Sequence, residues 1–106
     1  MKLELSPRLE AIAGLVPEGC GCLADIGTDH GYVPVSLLLE GRIRRAVAAD
    51  ISALPLDHAR RTAEQYGVAE KLDFRLGDGL SVLEPGEAEV AVIAGMGGDA
   101  ITEILA

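Results

Sequence analysis

Tryptophan is absent from this chain of 106 residues, and one Phe and two Tyr complete its stock of large aromatic side chains. A core made without them must be aliphatic. The hydrophobic half of the sequence suffices for one small domain, 1–106, and not for two. Basic residues are scarce: nine Lys and Arg face seventeen Asp and Glu, a net charge of -8. That balance opposes non-specific attraction to phosphates and favours a small cationic ligand, without excluding RNA bound by other means. Cysteine is limited to Cys20 and Cys22. Two apart on one strand, they are expected to share a face where a disulfide would be strained. No second pair completes a zinc site, so no metal is expected and the two read as small buried thiols of a reducing compartment. Long apolar runs are missing too; none nears the roughly 20 residues that span a bilayer. Met1-Lys2-Leu3-Glu4 lacks the basic-then-apolar start of a signal peptide. The expected address is the cytoplasm, with no membrane partner. Repeats, low-complexity tracts and linkers are also absent.

What is present alternates between two periods. Leu5, Leu9, Ile12, Ala13 and Val16 recur at helical spacing behind Ser6 as N-cap and Pro7 at the first helical position. Pro17, Gly19 and Gly21 break that helix, and Cys22 to Ile26 is the first strand. A short helix runs from about Tyr32, with Pro34 tolerated in its first turn, and ends before Gly41. Ala46-Val47-Ala48-Ala49-Asp50 is apolar throughout, as in a strand covered on both faces. Ser52 is placed to cap the next helix, with Leu56, Ala59, Ala63 and Tyr66 as its stripe and Gly67 as its stop. Leu72, Phe74 and Leu76 alternate with Asp73 and Arg75, the period of a half-exposed edge strand. Beyond Gly77-Asp78-Gly79 and a loop containing Pro85-Gly86, Val90 to Ala94 is a second fully apolar strand. Gly95-Met96-Gly97-Gly98 is predicted to turn the chain into a helix beginning near Asp99.

Alternating helices and strands specify an α/β fold with a parallel sheet, wound in the order 3-2-1-4. The fourth strand then has an open side, yet it carries none of the charges or prolines that protect an edge. The expectation is that the sheet is truncated after this strand and that further strands of a longer parent, or a partner chain, cover it.

Ligands of such sheets bind outside the carboxyl ends of the strands. Asp25 to Gly31, Asp50, Asp78 and Gly95 to Gly98 all fall at those ends, so separate segments converge on one rim. Gly27 and Gly31 stand where the backbone turns sharply and where a ligand would approach without meeting a Cβ. The spacing is Asp-x-Gly-x-Asp-x-Gly rather than the Gly-x-Gly-x-x-Gly of dinucleotide folds. Charge separates the two common ligands of this architecture. A pyrophosphate wants helix-start amides without carboxylates nearby, and here Asp25 and Asp29 flank the turn. S-adenosylmethionine, with a sulfonium and an ammonium against one carboxylate, is a net cation that acidic groups attract. Asp50, a little over 20 residues on, is placed to accept hydrogen bonds from both ribose hydroxyls. Methyl transfer fits better than hydride transfer.

Asp25-Ile26-Gly27-Thr28-Asp29-His30-Gly31-Tyr32, Ala49-Asp50-Ile51, Gly77-Asp78-Gly79-Leu80 and Ala94-Gly95-Met96-Gly97-Gly98 resemble the first four motifs of class I methyltransferases. Specifically, they resemble the bacterial tRNA (adenine-22-N1)-methyltransferase family. Leu5-Ser6-Pro7-Arg8-Leu9 is similar to that family's start, and the likeness covers essentially the whole chain. It implies a Rossmann-like domain that takes a methyl group from S-adenosylmethionine to N1 of an adenine in tRNA. It also implies that further strands and a C-terminal helical domain that helps hold tRNA are missing here.

On that resemblance the cofactor site comprises Asp25, Gly27, Thr28, Asp29, His30, Gly31, Asp50, Ile51, Asp78, Gly79, Gly95 and Met96, with Asp29 and His30 as the catalytic candidates. Asp29 replaces the middle glycine of the general pattern and, as an Asp, tolerates an unusual backbone angle. His30 is placed to bond the cofactor carboxylate or steer the adenine, and would serve equally as a polar surface group. Asp78 resembles the group that reaches the cofactor's adenine amino group, though Asp-Gly is also an ordinary turn pair. His58 reads as solvated, on a helix remote from the rim. Arg42, Arg44, Arg45, Arg60 and Arg61 read as a solvated face before they read as phosphate contacts. The Asn/Asp-Pro-Pro-Tyr signature used on exocyclic amines is missing, in keeping with a ring nitrogen whose lone pair already lies in plane. The competing readings are a non-catalytic cofactor-binding or interaction module, and a methyltransferase for another RNA or a small molecule.

Overall fold

The computed structural model describes residues 3–94 and 100–104. Helix α1 (Pro7–Gly14) opens the chain, and the Ser6 side chain accepts from the Leu9 amide at 3.3 Å, as the cap reading requires. Strand β1 (Cys20–Ile26) leads to α2 (Tyr32–Leu39), and β2 (Ile43–Asp50) to α3 (Ala53–Gln65). After a 3₁₀ turn at Ala69–Lys71 come β3 (Leu72–Leu76), a second 3₁₀ turn at Gly79–Val82, β4 (Val90–Ala94) and β5 (Ala100–Ile104). The strands lie in the order β3-β2-β1-β4-β5. The first four are mutually parallel, in the predicted order, with Asp25 level with Ala48 and Asp50 level with Leu76.

The fifth strand corrects the expectation of a helix from Asp99. Ala100–Ile104 pairs antiparallel with β4, Ala94 opposite Ala100 and Val90 opposite Ile104. Ile101, Thr102 and Ile104 are β-branched and favour extended backbone. The open edge of β4 offers them a full ladder of hydrogen bonds. The edge is therefore covered from within this chain.

The sheet's two faces differ. One carries all three helices and the larger core cluster, in which Leu23, Val35, Leu37 and Val90 are almost wholly buried. Each such side chain contributes about 1.5–3 kcal/mol. Helix α2 is apolar all round because it lies between α1 and α3 as well as on the sheet. The other face gathers Cys22, Ala24, Ile26, Val47, Ala49 and Ala91 under Ala88, Val82 and Leu83 from the β3–β4 connection. That connection is pinned by Arg75, which donates to the Val82 carbonyl at 2.8 Å and to the Glu87 carboxylate. The bond holds the Glu87 carboxyl down to about 2.

Cys20 and Cys22 do not share a face, contrary to their spacing: Cys20 joins the helix-side cluster and Cys22 the opposite one. Cys20 directly follows the turn at Gly19 (φ 84°), before the pleat becomes regular. Both thiols are free and buried.

Candidate functional site

The rim is knitted by backbone. The Ala49 carbonyl accepts from the amides of Gly27 at 2.8 Å and Thr28 at 3.0 Å, which ties the turn after β1 to the end of β2. The Asp50 carbonyl accepts from the Gly77 amide at 2.9 Å, which ties β2 to the end of β3. Three residues of the first turn have left-handed backbone: Gly27 (φ 76°), Asp29 (φ 55°) and Gly31 (φ 73°). Asp29 is the only non-glycine residue of positive φ among the described residues, which fits the tolerance expected of an Asp.

That turn lines a cavity of about 240 Å³ with Asp25, Gly27, Thr28, Asp29 and His30. Helix α1 closes its other side with Ser6, Arg8, Leu9 and Ile12, and Val92 of β4 lies at its base. The α1 contribution was not legible beforehand, because helical period identifies a buried face and not what that face meets. Asp25 is 5% exposed, and its Oδ2 accepts from the Thr28 hydroxyl at 2.8 Å. Burial pushes its carboxyl up to about 6, against the lowering effect of Thr28, and the charges of Asp50 and Asp29 add to the rise. Asp29 is largely exposed, with its Oδ1 3.8 Å from Nε2 of His30.

Asp50, Ile51 and Asp78 stand outside this cavity, on the adjoining ends of β2 and β3. Asp50 Oδ1 accepts from the Ser52 amide at 3.0 Å. Ser52 occupies the N-cap position of α3, yet its own side chain makes no capping bond, contrary to expectation; the third helical position is Pro55, which has no amide hydrogen to donate. Ile51 is 71% exposed, an apolar side chain standing open on the rim. Asp78 is exposed, and Gly79 begins the 3₁₀ turn that follows it. Gly95 and Met96 lie outside the described residues.

Gly31 takes the left-handed backbone expected of it, and its missing Cβ also makes room for α3: a Cβ there would lie 2.9 Å from the Ala59 Cβ. One expectation needs correction: His58 is not remote. The close approach at Gly31 brings α3 against the turn, and the His58 ring stacks on His30 with centroids 4.9 Å apart and planes 5° from parallel. His30 also stacks on Tyr32, at 5.2 Å and 12°. A lone histidine on a helix carries no sequence signal for such a contact.

Arg44 and Arg45 are exposed near the start of β2, and Arg42, Arg60 and Arg61 serve the fold. Arg42 donates to the carbonyls of Ala13 and Val16 at the end of α1. Arg60 lies 4.7 Å over the Phe74 ring, and Arg61 pairs with Asp57 at 3.1 Å. Among the described residues no group of three or more His, Cys, Asp or Glu is arranged to hold a metal ion, and no helix is long and apolar enough to cross a membrane.

Residues 5–106 match the family described as methyltransferase domain. The chain is 41% identical over 104 residues to the tRNA (adenine(22)-N(1))-methyltransferase of Bacillus subtilis, covering 98% of this chain and 43% of that protein. The crystal structure of the B. subtilis m1A22 tRNA methyltransferase TrmK superposes with a TM-score of 0.83 at 41% identity, over 91% of this chain and 41% of that one. The M. capricolum TrmK, solved with S-adenosyl-homocysteine, superposes with a TM-score of 0.77 at 33% identity, over 86% and 41%. The chain thus spans less than half the length of these relatives.

Proposed function

This chain belongs to the methyltransferase domain family, and from that premise we propose that it binds S-adenosylmethionine and serves methyl transfer to N1 of an adenine, the adenine at position 22 of tRNA. One observation carries the cofactor reading. Asp25 is a buried carboxyl lining the cavity, and burial first, with the charges of Asp50 and Asp29 adding to it, raises it to about 6. A site that holds negative charge at such a cost is completed by a cationic ligand, and the cofactor's ammonium and sulfonium meet that need. Arg8, the one guanidinium among the cavity-lining residues, offers a partner of the right sign for the cofactor's carboxylate.

The cavity, at about 240 Å³, is smaller than the roughly 300–1,000 Å³ of a whole ligand pocket. It takes the methionine end, and the adenosine lies along the open rim. There Asp50 accepts from the ribose hydroxyls, exposed Ile51 covers one face of the adenine, and Asp78 meets its amino group. Gly27 and Thr28 shape the turn, and Gly31 and Gly79 set the chain entering and leaving the rim. S-adenosylmethionine supplies a methyl group already activated by the sulfonium. What remains for the protein is mainly orientation, for which several kcal/mol is an ordinary contribution. The acceptor adenine becomes cationic as N1 is alkylated, and exposed Asp29, with His30 beside it, is placed to stabilise that charge. A tRNA substrate puts the reaction in the cytoplasm.

The test is to incubate the full-length parent with unmodified tRNA and labelled cofactor and map the label. Transfer to N1 of adenine 22 is expected, and label on another nucleotide or none would overturn the substrate reading. Coverage of only 43% of the B. subtilis relative favours, as a second reading for this chain alone, a cofactor-binding module without turnover. Calorimetry with S-adenosylmethionine followed by an activity assay on the same chain separates the two.

A further inference from the structure

The sequence holds two His and two Tyr, and three of these four side chains meet in the Tyr32–His30–His58 stack. The stack is not a piece of core. Tyr32 is 38% exposed, the His30 side chain 44% exposed, and His58 half-buried. Its near-parallel planes, 12° and 5° apart, come from two elements held together by the contact between Gly31 and Ala59. Tyr32 and His30 also line the cavity that contains Asp25 and Asp29.

We propose that this stack is a docking surface for an unpaired nucleobase of the RNA substrate, one that flanks the adenine receiving the methyl group. The inference rests on the reading of an RNA adenine as acceptor. Charge supports stacking as the means of contact. With a net charge of -8 the chain gains little from phosphates, and its arginines at positions 42, 60, 61 and 75 are engaged within the fold. Base–aromatic stacking needs no cationic side chain and accepts any base, because every base has a π face. His30 has a ring partner in both Tyr32 and His58, so a base joins at an end of the stack. Tyr32, which faces the cavity, is the end nearer the reaction.

The experiment uses this chain and a single-stranded RNA hexamer carrying 2-aminopurine, whose fluorescence is quenched on stacking. Binding with quenching is expected in the native chain, with weak dependence on salt. Tyr32→Leu and His58→Leu each lower affinity about tenfold, the size of one stacked base, while Tyr32→Phe keeps it and His58→Leu keeps the calorimetric affinity for S-adenosylmethionine. Melting curves confirm that each variant is folded; should His58→Leu not fold, the Leu and Phe variants at Tyr32 decide. Unchanged RNA affinity in the leucine variants overturns the proposal. So does a native chain that does not bind the hexamer, or a His58→Leu variant that loses cofactor and keeps RNA, which would assign the stack to the cofactor. The RNA arms need no cofactor. Absence of cofactor heat in the native chain therefore sinks the methyltransferase reading separately.

Discussion

Two strands of this sheet carry an aspartate in their last two residues and pass into a helix, and the two turns are built in opposite ways. After β1 the chain takes three left-handed residues, Gly27, Asp29 and Gly31, within a short loop and folds back over Asp25, which is almost wholly buried. After β2 it passes through Ile51 and Ser52 with no positive φ, and Asp50 stays half-exposed, steadied by the Ser52 amide. The first turn concentrates charge where water is excluded. The second makes an open shelf with an acceptor and an apolar side chain. In the function proposed above, one residue type at neighbouring strand ends serves two purposes, the recognition of a cation and the acceptance of hydroxyl hydrogen bonds.

The sharpest way to break this contrast is Asp25→Asn. Loss of the buried charge is expected to weaken S-adenosylmethionine binding at pH 7 by on the order of 100-fold, the effect of removing one partner of a buried charge pair, read by calorimetry. The same variant should be more stable than the native chain. A carboxyl raised from 3.8 to about 6 on folding gives stability that is fully present below pH 4 and is lost as pH rises through 6. At pH 7 the loss is at most about 3 kcal/mol, and asparagine is spared it. In the native chain, cofactor affinity should fall as pH drops below about 6, because the acid form of Asp25 carries no charge for the ligand. A variant that both binds poorly and melts lower would refute the assignment.

Gly31→Ala attacks the first turn's geometry. The left-handed angle alone costs about 1–2 kcal/mol for a residue with a Cβ, and the crowded Ala59 side chain adds to it. Denaturant unfolding should show a loss of about 2 kcal/mol or more, whereas substitution at equivalent points of the second turn meets no such limit. Asp50→Asn keeps an acceptor for the Ser52 amide and removes only charge. Its expected effect is about a tenfold loss of cofactor affinity, in the range of one hydrogen bond to a charged group, with the pH midpoint moved slightly downward because the Asp50 charge helps raise Asp25. The smallest change is Thr28→Val. The hydroxyl that favours ionised Asp25 is gone, so the midpoint of cofactor binding against pH should move upward by a fraction of a unit.

The elements of this contrast were legible in the sequence to different depths. Ser6 and Pro7 announced α1, the apolar runs announced β2 and β4, and the parallel order β3-β2-β1-β4 followed from alternation, because each signal is local or depends on simple topology. Asp25 to His30 stood out through charge and glycine spacing, and the structure gathers these residues about one cavity. Gly31 was legible as a sharp turn, while the room that its missing Cβ makes for Ala59 is revealed only by the packing of α3. The contacts of His58 and of the α1 residues Arg8 and Ile12 were not legible for the same cause: what a helix touches depends on how it crosses its neighbours, and no period in the sequence encodes that. Ser52 failed as a cap because the third helical position is Pro55, which has no amide hydrogen for the serine oxygen to accept. The fifth strand was missed because a glycine-rich turn commonly opens a helix, and the vacant edge of β4 outweighed that tendency.

The single carbonyl of Ala49, which accepts both the Gly27 and the Thr28 amides, has a consequence for how the site responds in time. Those two amides exchange with solvent only when the end of β2 lets go of the turn, so in hydrogen-exchange experiments they should open together with the central strands and more slowly than the loops around them. A ligand arriving at the rim meets a wall that is already assembled. Its binding entropy then carries little cost of ordering backbone, and the enthalpy it releases reports on the contacts it makes.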